Sequence, residues 1–272
     1  MGDVTSIAID LHVDYVCFVS TSDLRVELGT DHVATIEVRR GPDNYFDTLL
    51  IKALGDELDE LASGSCRAVV LCSDGRHFCA GARLEPGPAA NAEQGLHLYD
   101  VAIRLFEQPL PIVAAVQGAA IGGGLGLALA ADFRIASEGA RFSASFARLG
   151  FHHGFGMTAT LPNVVGQQTA LDLLYTGRRL DASAALKVGL CDEVVPADQL
   201  RARAQARAQE IAQSAPLAVR SIRATMRQPL VEQVRAAVAR ERSEQERLMI
   251  TADFKEGVTA VSERRQPMFL GV

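Results

Sequence analysis

Apolar residues recur with two different periods along the chain, and these periods predict strands that alternate with helices. HVATIEVRR, at 32–40, has the β-branched alternation of a strand, and FDTLLIKALGDELDELAS, at 46–63, has apolar residues at helical spacing. Further strands are predicted at 66–74, 111–118, 133–137 and 191–196. Further helices are predicted at 96–108, 125–132, 169–177 and 181–190, the last opened by an Asp181 cap. This alternation predicts an α/β core with helices packed over a sheet.

The C-terminal part of the sequence has few strand signals and predicts a helical region. From residue 198 to Pro267 the pattern is helical. Its apolar face consists of Val231, Val234, Val238 and Leu248. We therefore divide the chain into a core at 1–211 and a helical appendage at 212–272. The apolar face fits two uses, self-association with other copies or packing back onto the core.

An uncharged run from Pro109 to Ala131 is long enough to cross a bilayer. The run contains two prolines and five glycines, however, which suit a buried strand, a tight loop and a buried helix better. We therefore predict no membrane span.

Composition and charge exclude several function classes. The formal net charge is −6, whereas a nucleic-acid surface requires a basic excess. The five cysteines are scattered without a CxxC pair, which indicates reduced thiols rather than a disulfide framework. The spacing of His77 and Cys79 fits no zinc site, so we predict no metal. The first residues lack the basic start of a secretory signal, and we expect a cytoplasmic protein.

The stretch IGGGLGLALAADF, at 121–133, places three consecutive glycines before a predicted helix. One interpretation is a dinucleotide site with Glu138 as the ribose ligand, although the spacing is not GxGxxG. A second is close packing of the helix on the sheet. A third is an open helix start, where a bare backbone N–H faces a negatively charged ligand oxygen. The third interpretation needs a second donor, for which SDGRHFCAGARL, at 73–84, is the candidate.

Five segments, taken in order, resemble the crotonase (enoyl-CoA hydratase/isomerase) superfamily. They are FCAGA at 78–82, QGAAIGGGLGLALAAD at 117–132, ARFSASFARLGF at 140–151, LYTGRRLDASAALKVGLCDEVVP at 174–196 and FKEGVTAVSERRQPMF at 254–269. The resemblance runs from about residue 31 to residue 269. It implies a spiral of ββα units with a C-terminal helical region. It also implies a homotrimer or a dimer of trimers.

The resemblance further implies a site for an acyl-CoA thioester. By position, the backbone N–H groups of Ala82 and Gly123 would bind the thioester oxygen as an enolate develops on it. Ala80, Gly81 and Gly122 would belong to the same substrate site. Coenzyme A would enter as part of the substrate, and no separate cofactor is expected.

Several positions depart from the family pattern. Where hydratases of this kind carry two glutamates, this chain has Gly126 and Phe146, and Arg83 replaces the acidic residue after AGA. We expect Gly126 to leave open space in the substrate site, and the two-glutamate hydration mechanism cannot operate here. Glu85 and Glu93 follow in a Gly/Pro/Ala-rich stretch that could form a lid.

Three side chains are candidates to transfer protons instead. His152 and His153, in FHHGFG, could titrate near neutrality, although a plain loop pair is an alternative. Tyr99 aligns near the catalytic histidine of 4-chlorobenzoyl-CoA dehalogenases, a branch that also has GGGLG and an aromatic residue in the place of Phe146. A packed tyrosine is the alternative there. That branch's nucleophilic aspartate would fall at Gly154, so aromatic dehalogenation is excluded.

Arginines are the candidates for binding the phosphates of coenzyme A. Arg25, Arg39 and Arg40 lie in segments that resemble the nucleotide side of the family's site, and Arg264 and Arg265 match a basic tail. We predict Arg40 and Arg265 as substrate ligands. Solvated surface charge is the alternative for each, because phosphate binding requires two or more arginines to converge.

Three functions follow from these observations. The first is an acyl-CoA enzyme of enoyl-CoA hydratase/isomerase type, a lyase of fatty acid metabolism, with non-standard acid–base residues; hydrolysis, decarboxylation and C–C cleavage are alternative reactions. The second is a catalytically inactive acyl-CoA binding protein. The third, a nicotinamide-dependent oxidoreductase, is disfavoured by the glycine spacing. Phe146, Phe151 and Phe155 predict a partly aromatic acyl pocket.

Overall fold

A seven-stranded sheet forms the centre of the molecule in the computed structural model, which describes residues 17–20, 23–82 and 97–272. Its strands are β1 (Cys17–Ser20), β2 (Leu24–Leu28), β3 (Val33–Val38), β4 (Ala68–Ser73), β5 (Ile112–Val116), β7 (Phe133–Ser137) and β10 (Glu193–Val195). They lie in the order β1-β2-β3-β4-β5-β7-β10. The first three pair antiparallel, and pairing is parallel from β3 onward.

A second, three-stranded sheet is built from short segments, two of which follow strands of the first sheet. It contains β6 (Ala119–Ile121), β8 (Arg141–Ser143) and β9 (Leu180–Asp181). The chain passes from β5 to β6 and then into a helix, and from β7 to β8 and then into helical turns. Cys79, which follows β4, reaches the same layer through a bridge to Ala120. Strand, strand and helix therefore repeat, which confirms the expected spiral of ββα units.

Helices cover the sheets, and most lie where apolar periodicity predicted them. They are α1 (Thr48–Ser63), α2 (Leu98–Glu107), α3 (Gly123–Ala130), α4 (Met157–Val165), α5 (Gln167–Thr176), α6 (Ala182–Lys187), α7 (Leu200–Ala212), α8 (Pro216–Leu248) and α9 (Ala252–Ser262). Asp181 caps α6 as predicted, because its side chain accepts a hydrogen bond from the Ala184 N–H. Two corrections apply. Helix α3 begins at Gly123 rather than Leu125, and the last helix ends at Ser262 rather than near Pro267.

Both faces of the large sheet are buried at its central strands β4 and β5, as is usual for parallel strands covered by helices. On β4, Val69 and Leu71 face the main core, whereas Ala68 and Val70 face a smaller cluster. Alanines of α7 cover that second face. This two-sided burial explains why β4 reads as a continuous apolar run in the sequence.

The long helix α8 packs back onto the core of its own chain. Val234 and Val238 are buried in the main core, and α8 contacts α2 and α4. The division at 211 and the use of 212–272 for self-association stay predictions. No helix in the described parts of the chain is long and apolar enough to cross a membrane.

Candidate functional site

Two chain segments that the sequence singled out meet at the junction of the two sheets. The Cys79 N–H donates to the Ala119 carbonyl at 3.0 Å, and the Ile121 N–H donates to the Cys79 carbonyl at 3.1 Å. The Gly81 carbonyl accepts from the Phe46 N–H at 3.0 Å. These bonds fix the AGA and GGG stretches side by side.

The backbone N–H groups of Ala82 and Gly123 adjoin one another. A Cβ placed on Gly123 would lie 3.7 Å from the Ala82 nitrogen, and one placed on Gly81 would lie 3.9 Å from the Gly123 nitrogen. Within the described residues, neither N–H donates to a protein acceptor. Two adjacent donors at the start of α3, where the helix dipole is positive, can together bind a negatively charged oxygen.

The consecutive glycines are required by the backbone and by an aromatic neighbour. Gly122 has φ +55°, a conformation that residues with a Cβ rarely adopt. At Gly123 a Cβ would lie only 2.5 Å from Cζ of Phe46. Phe46, which sequence reasoning missed, therefore borders the candidate site. Only its place just before the Asp47 cap of α1 marks it in the sequence.

The position of Gly126 is filled, and the expectation of open space there is wrong. A Cβ on Gly126 would lie 2.7 Å from Cβ of Phe155 and 2.9 Å from its ring. Phe155 is 1% exposed, and its ring centroid lies 5.4 Å from that of Phe46 and 6.3 Å from that of Phe106. Glycine is present because Phe155 packs directly on α3.

A second aromatic group lies on the other side of the glycines. Cζ of Phe146 would be 3.7 Å from a Cβ on Gly122. The ring centroids of Phe146 and Phe151 are 5.6 Å apart, and those of Phe151 and Phe254 are 5.1 Å apart. The prediction that Phe146, Phe151 and Phe155 share one pocket is met only in part. Phe146 and Phe155 both approach the glycines, whereas Phe151 packs towards α9.

His152 and His153 lie beside α4 and α8, and their partners assign their tautomers. His152 Nδ1 lies 2.7 Å from the His153 carbonyl, so it carries the proton and leaves Nε2 as the acceptor. Thr158 Oγ1 donates to Glu241, so it accepts from His153 Nε2 at 2.8 Å and leaves Nδ1 free of a proton. Burial and the adjacent His152 lower the pKa of His153 to about 4, so the prediction that His153 titrates near neutrality is wrong.

Glu241 of α8 is a buried carboxylate that no motif in the sequence marks. Its oxygens accept from the Gly156 N–H at 2.8 Å and the Thr158 N–H at 2.9 Å, and the side chain is 0% exposed. Burial raises the pKa of Glu241, against the opposing effect of these hydrogen bonds. Glu241 thereby fixes the start of α4 and the backbone that follows Phe155.

Tyr99 is buried and lies between α2, α8 and residues 151–156, which carry His152 and His153 and are called the histidine loop. Its hydroxyl donates to Gln245 Oε1 at 2.6 Å, and Gln245 Nε2 donates to the His152 carbonyl at 2.9 Å. A Cβ on Gly154 would overlap the Tyr99 hydroxyl. The two positions paired by the dehalogenase resemblance therefore adjoin. Burial, with the nearby Glu241 charge, raises the pKa of Tyr99, so its hydroxyl stays protonated.

The arginines chosen for coenzyme A already have acidic partners. Arg40 pairs with Asp23 at 2.6 Å and with Asp47 at 2.7 Å. With Arg39 it lines a cavity of about 400 Å³. Arg265 pairs with Glu256 and Glu263.

The remaining candidates add little to the site. Arg25 pairs with Glu27, and Arg264 is exposed. Arg83, Glu85 and Glu93 lie outside the described residues. Among the described residues no cluster of three or more His, Cys, Asp or Glu side chains could hold a metal ion.

Comparison with known proteins gives one consistent family. The family model for enoyl-CoA hydratase/isomerase matches residues 29–271. An enoyl-CoA isomerase/hydratase from Mycosarcoma maydis is 34% identical over 75% of this chain and 77% of its own length. A carnitinyl-CoA dehydratase from Proteus mirabilis is 35% identical over 76% of this chain and 82% of its own length.

Solved structures agree with the family model. The crystal structure of an enoyl-CoA hydratase/isomerase from Pseudoalteromonas atlantica has a TM-score of 0.83 and 34% identity, over 92% of this chain and all of its own. An enoyl-CoA hydratase structure from Mycobacterium avium has a TM-score of 0.81 and 28% identity, over 92% of this chain and 100% of its own. The chain therefore belongs to the enoyl-CoA hydratase/isomerase family of the crotonase superfamily.

Proposed function

We propose that the protein is an enzyme acting on acyl-CoA thioesters, with the N–H groups of Ala82 and Gly123 as its oxyanion hole. One observation carries the proposal: these two donors adjoin at the start of α3 and have no acceptor within the described residues. An enolate oxygen formed between them gains two hydrogen bonds that cost no reorganisation at the moment of reaction. Ala80, Gly81 and Gly122 supply the backbone around the thioester, and coenzyme A is part of the substrate.

The proposed reaction is of hydratase/isomerase type with non-standard acid–base residues. The side chains packed on Gly122, Gly123 and Gly126 are aromatic and transfer no protons. His152 Nε2 and His153 Nδ1 are the unprotonated nitrogens assigned above, and they are the proposed bases. Tyr99 is at most a proton donor, because its pKa is raised. We expect hydration of crotonyl-CoA to be slow.

A second candidate is favoured by the same aromatic surroundings. Decarboxylation or C–C cleavage of the substrate generates the enolate without a protein base, and thioester hydrolysis needs only an activated water. An inactive acyl-CoA binding protein requires the hole alone. Phe146 and Phe155 would in each case favour a bulky or cyclic acyl group.

The phosphates of coenzyme A are proposed to bind at Arg40 and Arg265, where the ligand would compete with the carboxylates that now pair with them. We also propose a homotrimer or a dimer of trimers in the cytoplasm. Exposed Leu217, Ile222 and Met226 on α8 support self-association.

The experiment that tests the function combines two measurements on the purified protein. Crotonyl-CoA hydration is followed by absorbance, and binding of the same ester is measured by calorimetry. Binding with slow or no turnover supports the oxyanion hole and directs the search to the other reactions. Fast turnover supports the site but shows that another group, with His152 and His153 the first candidates, replaces both glutamates efficiently. Absence of binding by crotonyl-CoA, and by a bulkier benzoyl-CoA, would overturn the proposal.

A further inference from the structure

The outer face of the three-stranded sheet carries a cavity of about 440 Å³. Along β6, Ala120 points into the main core, whereas Ala119 and Ile121 line this cavity. Three arginines surround it. We call this the arginine cavity, and its polar rim consists of Arg76, His77, Arg141 and Arg179.

The three arginines come from three separate segments that backbone hydrogen bonds hold in place. The Arg76 N–H donates to the Pro42 carbonyl at 3.1 Å, and the Arg141 N–H donates to the Gly118 carbonyl at 2.7 Å. Arg179 precedes Leu180, which pairs with Phe142 across β8 and β9. The positions from which the guanidinium groups extend are therefore fixed by the fold.

The charge of this cluster is not neutralised by the protein. All three arginines are exposed; within the described residues Arg76 and Arg179 have no acidic partner, and Arg141 Nη1 donates only to backbone carbonyls, at 2.7 Å in the case of Ala140. Asp181 lies across from Arg141 in the sheet, but its side chain accepts from the Ala184 N–H. Arg40 and Arg265, by contrast, each pair with two carboxylates.

His77 adds a hydrogen-bond donor to the rim and no negative charge that would offset the arginines. Its Nδ1 accepts from the Ala119 N–H at 3.0 Å, so the ring proton is on Nε2. The Nε2 atom lies 3.8 Å from Asp43 Oδ1. The rim therefore presents three guanidinium groups, and guanidinium forks match the paired oxygens of phosphoryl groups.

We propose that the arginine cavity binds a diphosphate group, at a site separate from the oxyanion hole. A cavity of about 440 Å³ exceeds what one phosphate fills, and three cationic groups suit the charge of a diphosphate. The same chemistry is carried by inorganic pyrophosphate, by a nucleoside diphosphate and by free coenzyme A. The inference goes beyond the proposed function and does not depend on catalysis.

Calorimetric titration of the full-length protein in its native oligomeric state, without acyl-CoA, tests this site. Inorganic pyrophosphate, ADP and coenzyme A are titrated separately at low salt, and the tightest ligand identifies the source of the diphosphate. Arg179→Ala and Arg76→Ala are each expected to weaken binding about tenfold, and the double variant to abolish it. Raising the salt concentration should weaken binding as well.

Arg178→Ala is the matched control, because Arg178 neighbours Arg179 but pairs with Asp172 at 2.6 Å and lies outside the cavity. Thermal unfolding checks that every variant is folded. The proposal is overturned if none of the three ligands binds, or if Arg178→Ala weakens binding as much as Arg179→Ala. Coenzyme A binding that survives in the double variant belongs to the proposed acyl-CoA site, so the two sites are told apart.

Discussion

The AGA and GGG stretches, at 80–82 and 122–124, and the histidine loop all lie close to α3, but they are held in place by different interactions. At the glycines the donors are backbone atoms, and the bonds that position them run between neighbouring strands of one layer. At the loop, the positions of Phe155 and His153 depend on side chains of α8, with Glu241 lying 85 residues beyond Gly156. The first arrangement rests on backbone pairing between segments about 40 residues apart, such as Cys79 and Ala119, whereas the second also requires side chains of the more distant helix α8.

Removing the carboxylate of Glu241 should lower the free energy of unfolding by the largest amount, and it should act through the histidine loop alone. Glu241→Leu leaves the donors of Gly156 and Thr158 without their acceptor, which we expect to lower the free energy of unfolding by about 3–5 kcal/mol. Urea unfolding measures this. Glu246→Leu, on the exposed side of the same helix, is the control and should change stability little. Equal losses in both variants would show that helix α8, rather than this carboxylate, holds the loop.

Protonation of His153 should change the free energy of unfolding by the next largest amount. The folded-state pKa is lowered from 6.5 to about 4, so the unfolded chain binds more protons between these values. Stability is thus fully present above pH 6.5 and falls by about 3 kcal/mol as the pH drops towards 4. Glu241 has the opposite effect on the pH dependence of stability. Because its pKa is raised, the folded state binds its proton more tightly, and this contribution to stability falls as the pH rises.

Unfolding of His153→Asn across this pH range isolates the histidine contribution. We expect a flatter profile than in the parent protein. His32→Asn is the control, because His32 has φ +64° and asparagine accepts that backbone conformation. A slope that persists in His153→Asn would assign the titration to other groups.

A methyl group on Gly123 should test the proposed oxyanion hole. Gly123→Ala places its Cβ 2.5 Å from Phe46 and 3.7 Å from the Ala82 nitrogen, so it obstructs the space between the two donors. We expect a loss of at least about a hundredfold in acyl-CoA turnover or affinity. Gly64→Ala, where a Cβ meets nothing closer than 3.7 Å, is the control. Unchanged affinity in a folded Gly123→Ala protein would place the thioester elsewhere.

Deleting the Tyr99 hydroxyl should have the smallest effect. Tyr99→Phe removes the 2.6 Å hydrogen bond to Gln245, and we expect a loss of about 1 kcal/mol in the free energy of unfolding. Tyr45→Phe, at a residue 39% exposed, is the control for loss of a hydroxyl. A loss of turnover in Tyr99→Phe that exceeds its loss of stability would instead support a proton-transfer role.

Most of the long elements were predicted from the sequence, whereas several short ones and the five-residue strand β2 were missed. Helix α1 and strand β4 have enough residues to show their period, whereas β6 and β8 have three residues each. Helix α4 contains Pro162, which interrupts its pattern, and it was not predicted.

The residues of the candidate site likewise divide into those that were predicted from the sequence and those that were not. Ala82 and Gly123 were predicted from the resemblance of the AGA and GGG segments to the family, and their role as donors to the thioester stays a prediction. Phe46, Glu241 and Gln245 were not predicted, because their importance comes from neighbours that only tertiary packing supplies. The open space expected at Gly126 was wrong for this reason, since Phe155 occupies it.

The contact between Gly126 and Phe155 makes these two positions epistatic. A glutamate introduced at 126 alone would overlap the ring of Phe155, and truncating Phe155 alone would leave a void beside α3. Only the double substitution gives a carboxylate room near the backbone N–H groups of Ala82 and Gly123. A double-mutant cycle on Gly126→Glu and Phe155→Ala should therefore show strong positive coupling. Conversion of this chain to an acid-dependent hydratase would therefore need both substitutions together, because one alone creates an overlap and the other alone creates a void.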